Sequence, residues 1–528
     1  MSSCTNALLS PPLQQRLDSE FPVANEVPAD THRFSPSTIQ PSTVFQFPGV
    51  TQESTSVVRG LMEENDRRFH IYQRISFQHN HLPHHLLTAY SLGATPKHLQ
   101  AIFEDNVDDM APIDRDAASS KSAGEAKRGL RIDSTNWDSE ELLGKKRFAQ
   151  AAVHSPDLVS PLFPPDWPNT VEAAPSSVSS NSAQPAAATI ANTVKDAFSS
   201  LSISNAFPSF TTGSPRTGSP DRDRARNLIH PGLLELYAEL CGNDKLHPGP
   251  YNPDLTIDKR LRDAVAGGRA GEMQKIADKW GVGEEELVEE EGGKGGIASG
   301  WARRVEELQV LGTLLAAATG RVGREPRVDF FLMHCLTSSI FLPSFMQYLQ
   351  PGQRAVLLKS YLLVVFHTAL SRGRPLIRPE VLSKYPVDPS PPSRAVKSGG
   401  NGSGSASEGN QEDVVGDPAA GGYGNPWLAV VDNCMYSKDS HVMKSIRSLL
   451  LYSMKYGHLP PGHLLGSHRR ATGGGEESIP GISALGGDIF VRAAGMIMHV
   501  MGWARERKPG EKEGSWDMSA LGWDEVWK

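Results

Sequence analysis

Apolar residues recur at three- and four-residue intervals through six long stretches, and that spacing predicts helices. The stretches are Asp258 to Trp280, Ala302 to Ala318, Asp329 to Leu342, Gln353 to Leu370, His441 to Tyr456 and Asp488 to Trp503. Two shorter helices are marked by their starts. Pro83 suits the first helical position, which makes Leu82 the N-cap and leaves His81 outside. Thr95-Pro96 gives the same signal, with Leu99, Ile102 and Phe103 as the buried stripe, and Gly93 suits the position just past the preceding helix. Strand signals are nearly absent, because β-branched residues do not cluster and no Asn-Gly turn joins two alternating runs. The expected fold is all-α: a single helical domain over residues 51–528 behind an irregular arm at 1–50.

Three stretches break the helical pattern. Residues 171–226 are dominated by Ser, Ala, Pro and Thr, and 389–424 run from Pro-Ser-rich to Gly-Ser-rich. Residues 283–296 pass from an acidic run into Gly-Gly-Lys-Gly-Gly. These segments have too few apolar side chains to offset the entropy of ordering, so they are expected to be insertions, disordered or flexible.

Composition narrows the function classes. There are 53 Lys and Arg against 60 Asp and Glu, a net charge of −7, so there is no global basic footprint for nucleic acid or an anionic membrane. Cys4, Cys241, Cys335 and Cys434 form no Cys-x-x-Cys pair, which argues against a zinc module and fits a reducing compartment. The N-terminus lacks the basic and apolar regions of a signal peptide. The longest apolar stretch, Phe330 to Leu342, is interrupted by polar residues and falls short of the roughly 20 residues a membrane span needs. A cytoplasmic protein without membrane or nucleic-acid partners is the expectation.

The candidate chemistry lies in histidines beside apolar stripes. His79, His81, His84 and His85 fall within seven residues and lead directly into a helix that must pack. Imidazole titrates near neutrality, so such a cluster can move protons or bind metal, or be held by backbone groups. His84, His85 and Thr88 are expected on one arc of that helix. No carboxylate sits at the spacing of a metal-binding helix, so no metal is assigned and a histidine-ligated metal stays the weaker alternative. His334 lies one turn from Thr337 and Ser338 in a nearly all-apolar helix, and His367 is embedded in Leu, Val and Phe. His441 follows Asp439, which reads as an N-cap. Taken together, His81, His84, His85 and His334 are the candidates for catalysis, and Thr337, Ser338, His367 and His441 for holding a substrate. The expected pocket has His84 or His85 on one wall and His334 with Thr337 on the other, while His98 should lie on an exposed face. Gly293-Lys294-Gly295-Gly296-Ile297-Ala298 loosely matches a nucleotide fingerprint, but it lacks a preceding strand and follows an acidic run that would repel phosphate.

Several segments together resemble the questin oxidase-like family of fungal proteins. They include Phe47-Pro48-Gly49-Val50-Thr51, His79 through Leu87, Leu92-Gly93-Ala94, Asn136-Trp137 and Ala151 through Pro156. The resemblance continues in Asp329 through His334, Thr337 through Pro343, Ala369 through Pro375, Asp439 through Lys444, and Trp516-Asp517 through Trp527. It implies an NADPH-dependent, Baeyer–Villiger-type oxidation by O2 that opens a ring of an aromatic polyketide such as an anthraquinone, in fungal secondary metabolism. Neither a flavin nor a metal motif accompanies it, and the residues that would bind NADPH are not legible. One departure stands out: Lys145-Lys146-Arg147 joins almost directly to Phe148, where the family carries a further histidine-bearing stretch. An inactive helical paralogue or binding protein is therefore the alternative.

Overall fold

The computed structural model describes residues 47–73, 79–113, 230–283, 287, 300–346, 348–392, 424–469, 475–508 and 510–528. The expected insertion 171–226 lies outside them, as do most of 1–50, 283–296 and 389–424. The edges that are described pack onto the body. Phe47 donates its N–H to Ser91 O, Leu287 is fully buried, and Pro389 touches Gly495. Leu287 O also accepts from Arg354 Nη1 at 2.8 Å, so this one residue is held where composition suggested a flexible insertion.

The described body is helical apart from one small sheet. Along the chain come α1 (Gln52–Arg68), β1 (Phe69–Gln73), α2 (Leu82–Ser91), α3 (Pro96–Asn106), β2 (Met110–Pro112), α4 (Leu233–Gly242), α5 (Ile257–Val265) and α6 (Arg269–Asp278). Then follow α7 (Gly300–Ala317), α8 (Phe330–Ser338), α9 (Leu342–Met346), α10 (Pro351–Ser371), α11 (Pro379–Ser383), α12 (Pro426–Cys434), α13 (Ser440–Tyr456) and α14 (Ile489–Met501). Strands β1 and β2 pair antiparallel across the intervening α2 and α3, a pairing that the sequence pattern did not signal.

Two expected helices are broken, each for a local reason. Asp258 to Trp280 divides into α5 and α6 because Gly267 and Gly268 take φ of 64° and 83°, a conformation that a helix interior cannot hold. Asp329 to Leu342 divides into α8, a 3-10 turn at Ser339–Phe341, and α9. Pro343 has no N–H to bond back to Ser339, and its ring crowds that carbonyl, so the α-helical ladder changes there. The residue capping α2 is His81 rather than Leu82.

Helix α7 is the centre of the core: Val305, Leu308, Leu311, Leu314 and Leu315 are at most 1% exposed. Each such side chain contributes about 1.5–3 kcal/mol on burial. Helix α8 crosses it closely, since a Cβ at Gly312 would sit 2.9 Å from Cys335 O. Helix α13 packs on α2, α8, α12 and α14, so it brings N-terminal and central segments to one place. Helix α10 is 21 residues long and is apolar enough to cross a membrane by length and composition. In this fold it packs on α5, α6, α7 and α8.

A C-terminal strap closes this side of the molecule. Gly514 N–H bonds Met501 O, Asp517 pairs as an isolated bridge with Asp329, and Gly522 N–H reaches Arg372 O. Below the strap, Asp329 caps α8 by accepting from Phe331 and Leu332 N–H, and its other oxygen accepts from Arg372 Nε at 2.8 Å. Both side chains of that pair are at most 1% exposed.

Candidate functional site

Five imidazoles meet where α2, α8 and α13 converge. The His79 and His81 rings lie 4.0 Å apart, centroid to centroid, and His84 is 5.2 Å from His79. His441, one residue into α13, bridges the gap, with its ring 4.9 Å from His81 and 5.2 Å from His334. Phe330 completes the wall at 4.7 Å from His334 and 5.0 Å from His441. Capping explains part of this arrangement. His81 caps α2 without a side-chain cap bond, so its ring remains available to the cluster, while Asn80 Oδ1 accepts from Leu82 N–H in its place.

The most ordered part of the site is built on Asp439. Its Oδ1 caps α13 by accepting from His441 N–H at 2.9 Å and also accepts from His441 Nδ1 at 2.7 Å. Its Oδ2 accepts from Trp516 Nε1 at 2.6 Å, on the strap. Burial raises the Asp439 pKa, but the bonds from His441 and Trp516 outweigh it and hold the carboxyl at about 2. An ionised carboxylate can only accept, so Nδ1 of His441 carries the proton of that bond and Nε2 is the nitrogen left to face a ligand. That Nε2 is buried and has no hydrogen-bond partner.

The surroundings keep the other rings uncharged. Burial first, and then the charges of His79 and Lys444, bring His81 down to about 3. His84, at the solvent rim, is lowered to about 4 by the protein packed around it and then by Lys444. His334 is lowered to about 4 by burial, against a bond from its Nδ1 to Phe330 O at 2.8 Å. His79 is lowered as well, by burial and then Lys444. Lys444, one turn along α13 from His441, is itself brought down to about 8 by burial.

Other candidates are placed elsewhere. His85 does not share the arc of His84: neighbouring helical residues diverge by about 100°. It points away from the cluster, is 2% exposed, and faces Asn106 Nδ2 at 3.5 Å. Thr337 Oγ1 turns to Met333 Sδ at 3.8 Å. Ser338 Oγ bonds His334 O at 2.6 Å and Tyr361 Oη at 2.7 Å, on the exposed side of α8. His367 Nε2 is held by Leu261 O at 2.8 Å, outside the cluster. The link from α2 to α8 runs from His81 through His441 to His334, and neither His85 nor Thr337 takes part. His98 is not a free surface residue: its Nε2 donates to Met435 O at 2.7 Å and its ring meets Tyr436 edge-on. Asp439, Lys444 and Trp516 were missed as site residues. Asp439 reads as an ordinary cap and Trp516 is 77 residues further along the chain, so only the fold joins them.

The arrangement offers a carboxylate-oriented base, neutral imidazoles and one cation. Among the described residues no three His, Cys, Asp or Glu side chains are grouped so as to hold a metal ion. The sequence profile of the family described as Questin oxidase-like matches residues 78–151 and 145–449, a range containing all five imidazoles and Lys444. The chain belongs to that family. The two matched pieces overlap at residues 145–151. Among curated proteins, the chain is 26% identical over 305 residues to a Baeyer–Villiger oxidase of Emericella nidulans, covering 55% of this chain and 63% of that one. It is 25% identical over 320 residues to a Baeyer–Villiger oxidase of Pestalotiopsis microspora, 56% of this chain and 65% of the relative. It is 24% identical over 325 residues to the questin oxidase of Aspergillus fumigatus, 57% and 66% respectively. The chain therefore spans just under two thirds of the length of these relatives.

Proposed function

We propose that this questin oxidase-like chain is an oxidoreductase that inserts oxygen from O2 into a phenolic aromatic polyketide, with the imidazole cluster as its reaction centre. The names of its relatives support the reaction class. The observation that carries the site is the His441 Nε2 atom, buried, unpartnered and backed by Asp439. A phenol or enol against Nε2 passes its proton to the ring while Asp439 stabilises the imidazolium that forms. The electron pair stays on the substrate, which becomes electron-rich toward O2. Phe330 and the neutral rings around it supply flat surfaces for an aromatic substrate.

Insertion of one oxygen atom, with the other released as water, consumes two electrons and two protons. The family implies NADPH as their source. The described residues include no glycine-rich turn between a strand and a helix to cradle a pyrophosphate, and the β1–β2 pair is antiparallel. These residues do not fit a dinucleotide site, and the proton step stands without one.

The test is purified protein with a polyhydroxylated anthraquinone, NADPH and 18O2, followed by oxygen uptake and product mass. One labelled oxygen per product is expected, with His441→Gln slowing turnover about 10²–10⁴-fold while binding persists. No oxygen uptake, or a His441→Gln protein as fast as the parent, would refute the reading. A second reading, a metal-dependent oxygenase, is favoured by one observation. The cluster's lowered imidazoles have lone pairs free at neutral pH, as metal ligands must. The 4.0 Å stacking of His79 on His81 presents faces rather than nitrogens, so those rings would have to turn. Stoichiometric metal by elemental analysis would replace proton transfer with ligation as the role of these rings.

A further inference from the structure

Helix α13 carries three cations, Lys444, Arg447 and Lys455, and not one Asp or Glu. By helical spacing these cations lie on the side of α13 turned away from Val442, Met443, Ile446 and Leu450, which fill the core. The carboxylate whose charge acts on Lys444 is that of Asp439, and it is already occupied by three N–H donors from His441 and Trp516. Lys444 makes no ion pair among the described residues, although it is half-buried one turn along α13 from His441. Arg447, one turn further, is also half-buried, and its Nε is buried without a partner. Cations partly withdrawn from water without a counter-charge favour a negative group brought to them.

We infer that the ligand of this site is bound as an anion: an aromatic phenolate or carboxylate whose charge rests on Lys444, with Arg447 as a second contact one turn along α13. This inference rests on the reading that the cluster takes an aromatic substrate, and it specifies that substrate's charge. For a phenol, the O–H bond breaks, the proton goes to His441 Nε2, and the pair left on oxygen faces the Lys444 ammonium. An O-methylated relative has no proton to give and places no charge there. Methylation of the reacting phenol is therefore a modification that an earlier step must omit or remove.

Equilibrium binding tests this without turnover. The probes are a polyhydroxylated anthraquinone, its fully O-methylated ether, and benzoate as a minimal aromatic anion, followed by tryptophan fluorescence or calorimetry. The hydroxylated compound should bind the parent at least about tenfold more tightly than the ether, since charge-assisted contacts are the strong ones. Lys444→Met should abolish that preference, Lys444→Arg should restore much of it, and Arg447→Met should weaken it by a smaller factor. Lys275→Met, at an exposed position of α6 paired with Glu272, should change nothing. Helical circular dichroism verifies that each variant is folded. If the ether binds as tightly as the phenol and Lys444→Met is silent, the aromatic site stands and the anion inference falls. If benzoate alone binds, in a Lys444-dependent way, the anion site stands and the polyketide reading falls. If none of the three binds, both are wrong.

Discussion

Lowering the pH from 7 to 5 should remove a large part of this protein's stability, through a few imidazoles. His85 and His334 are held at about 4 and His81 at about 3, against an ordinary value of 6.5, chiefly by burial. In the unfolded chain the same rings take up protons as the pH drops below 6.5, while in the fold they do not. The unfolded state then binds more protons, so stability falls as pH falls, beginning near 6.5 and continuing toward 4. At about 1.36 kcal/mol per pH unit per ring, the 1.5 units between 6.5 and 5 amount to about 2 kcal/mol each. Three rings give roughly 5 kcal/mol once the partial exposure of His81 and His334 is allowed for. That is comparable to the whole margin of about 5–15 kcal/mol by which domains are stable. Asp439 acts in a lower window: its depressed pKa adds stability above about 4 that is lost toward 2. The assay is urea unfolding followed by circular dichroism at pH 7, 6 and 5. The midpoint should drop steeply, and His85→Leu should flatten the slope by about one proton of the three. A stability that is level or rising between pH 7 and 5 would refute the reasoning.

Other expectations follow from single contacts. Trp516→Phe keeps the ring but removes the N–H that bonds Asp439, so kcat should fall about tenfold with the fold intact, and the acid limb of the pH–rate profile should shift. Rate against pH, beside a thermal melt, separates this from simple destabilisation. Arg372→Met leaves the Asp329 carboxylate buried and unpaired, which should cost about 3–5 kcal/mol in urea unfolding. Gly373→Ala forces a side chain onto a residue at φ 81°, with the Trp523 ring 2.4 Å from the new Cβ. Its melting temperature should fall by several degrees, as expected for a loss of about 1–3 kcal/mol.

The long helices were legible because their stripes are locally encoded. Residues 302–318 were expected from the spacing of Val305, Leu308, Leu311 and Leu315, and α7 is found at Gly300–Ala317. Breaks inside a stripe were harder to read, because the apolar period continues across Gly267-Gly268 and across Pro343 even though the backbone does not. The imidazole cluster was half legible. His79, His81 and His84 draw attention by proximity in sequence, and His334 by its place in an apolar helix. The atoms that orient His441 could not be read locally. Asp439 was visible only as a cap, and its second partner, Trp516, is supplied by a strap that has no periodic signature. His98 misled for a related reason: the face of α3 that it occupies is covered by the turn after α12, and a helical wheel cannot show a neighbour contributed from over 300 positions away.

The strap also ties the reaction centre to the backbone of a distant segment. Trp516 touches Asp439 through its side chain, and one residue later Asp517 exchanges backbone bonds with Val328 and Phe330 at the start of α8. Occupation of His441 and ordering of this segment therefore share a free energy, and linkage makes the exchange reciprocal. A ligand that draws His441 toward its protonated form strengthens the bond to Asp439 and, through it, the hold on Trp516. Amide protons at 516–519, which contact no ligand, should then exchange more slowly with deuterium when the site is filled. The slowing would mirror the affinity lost when the strap is loosened.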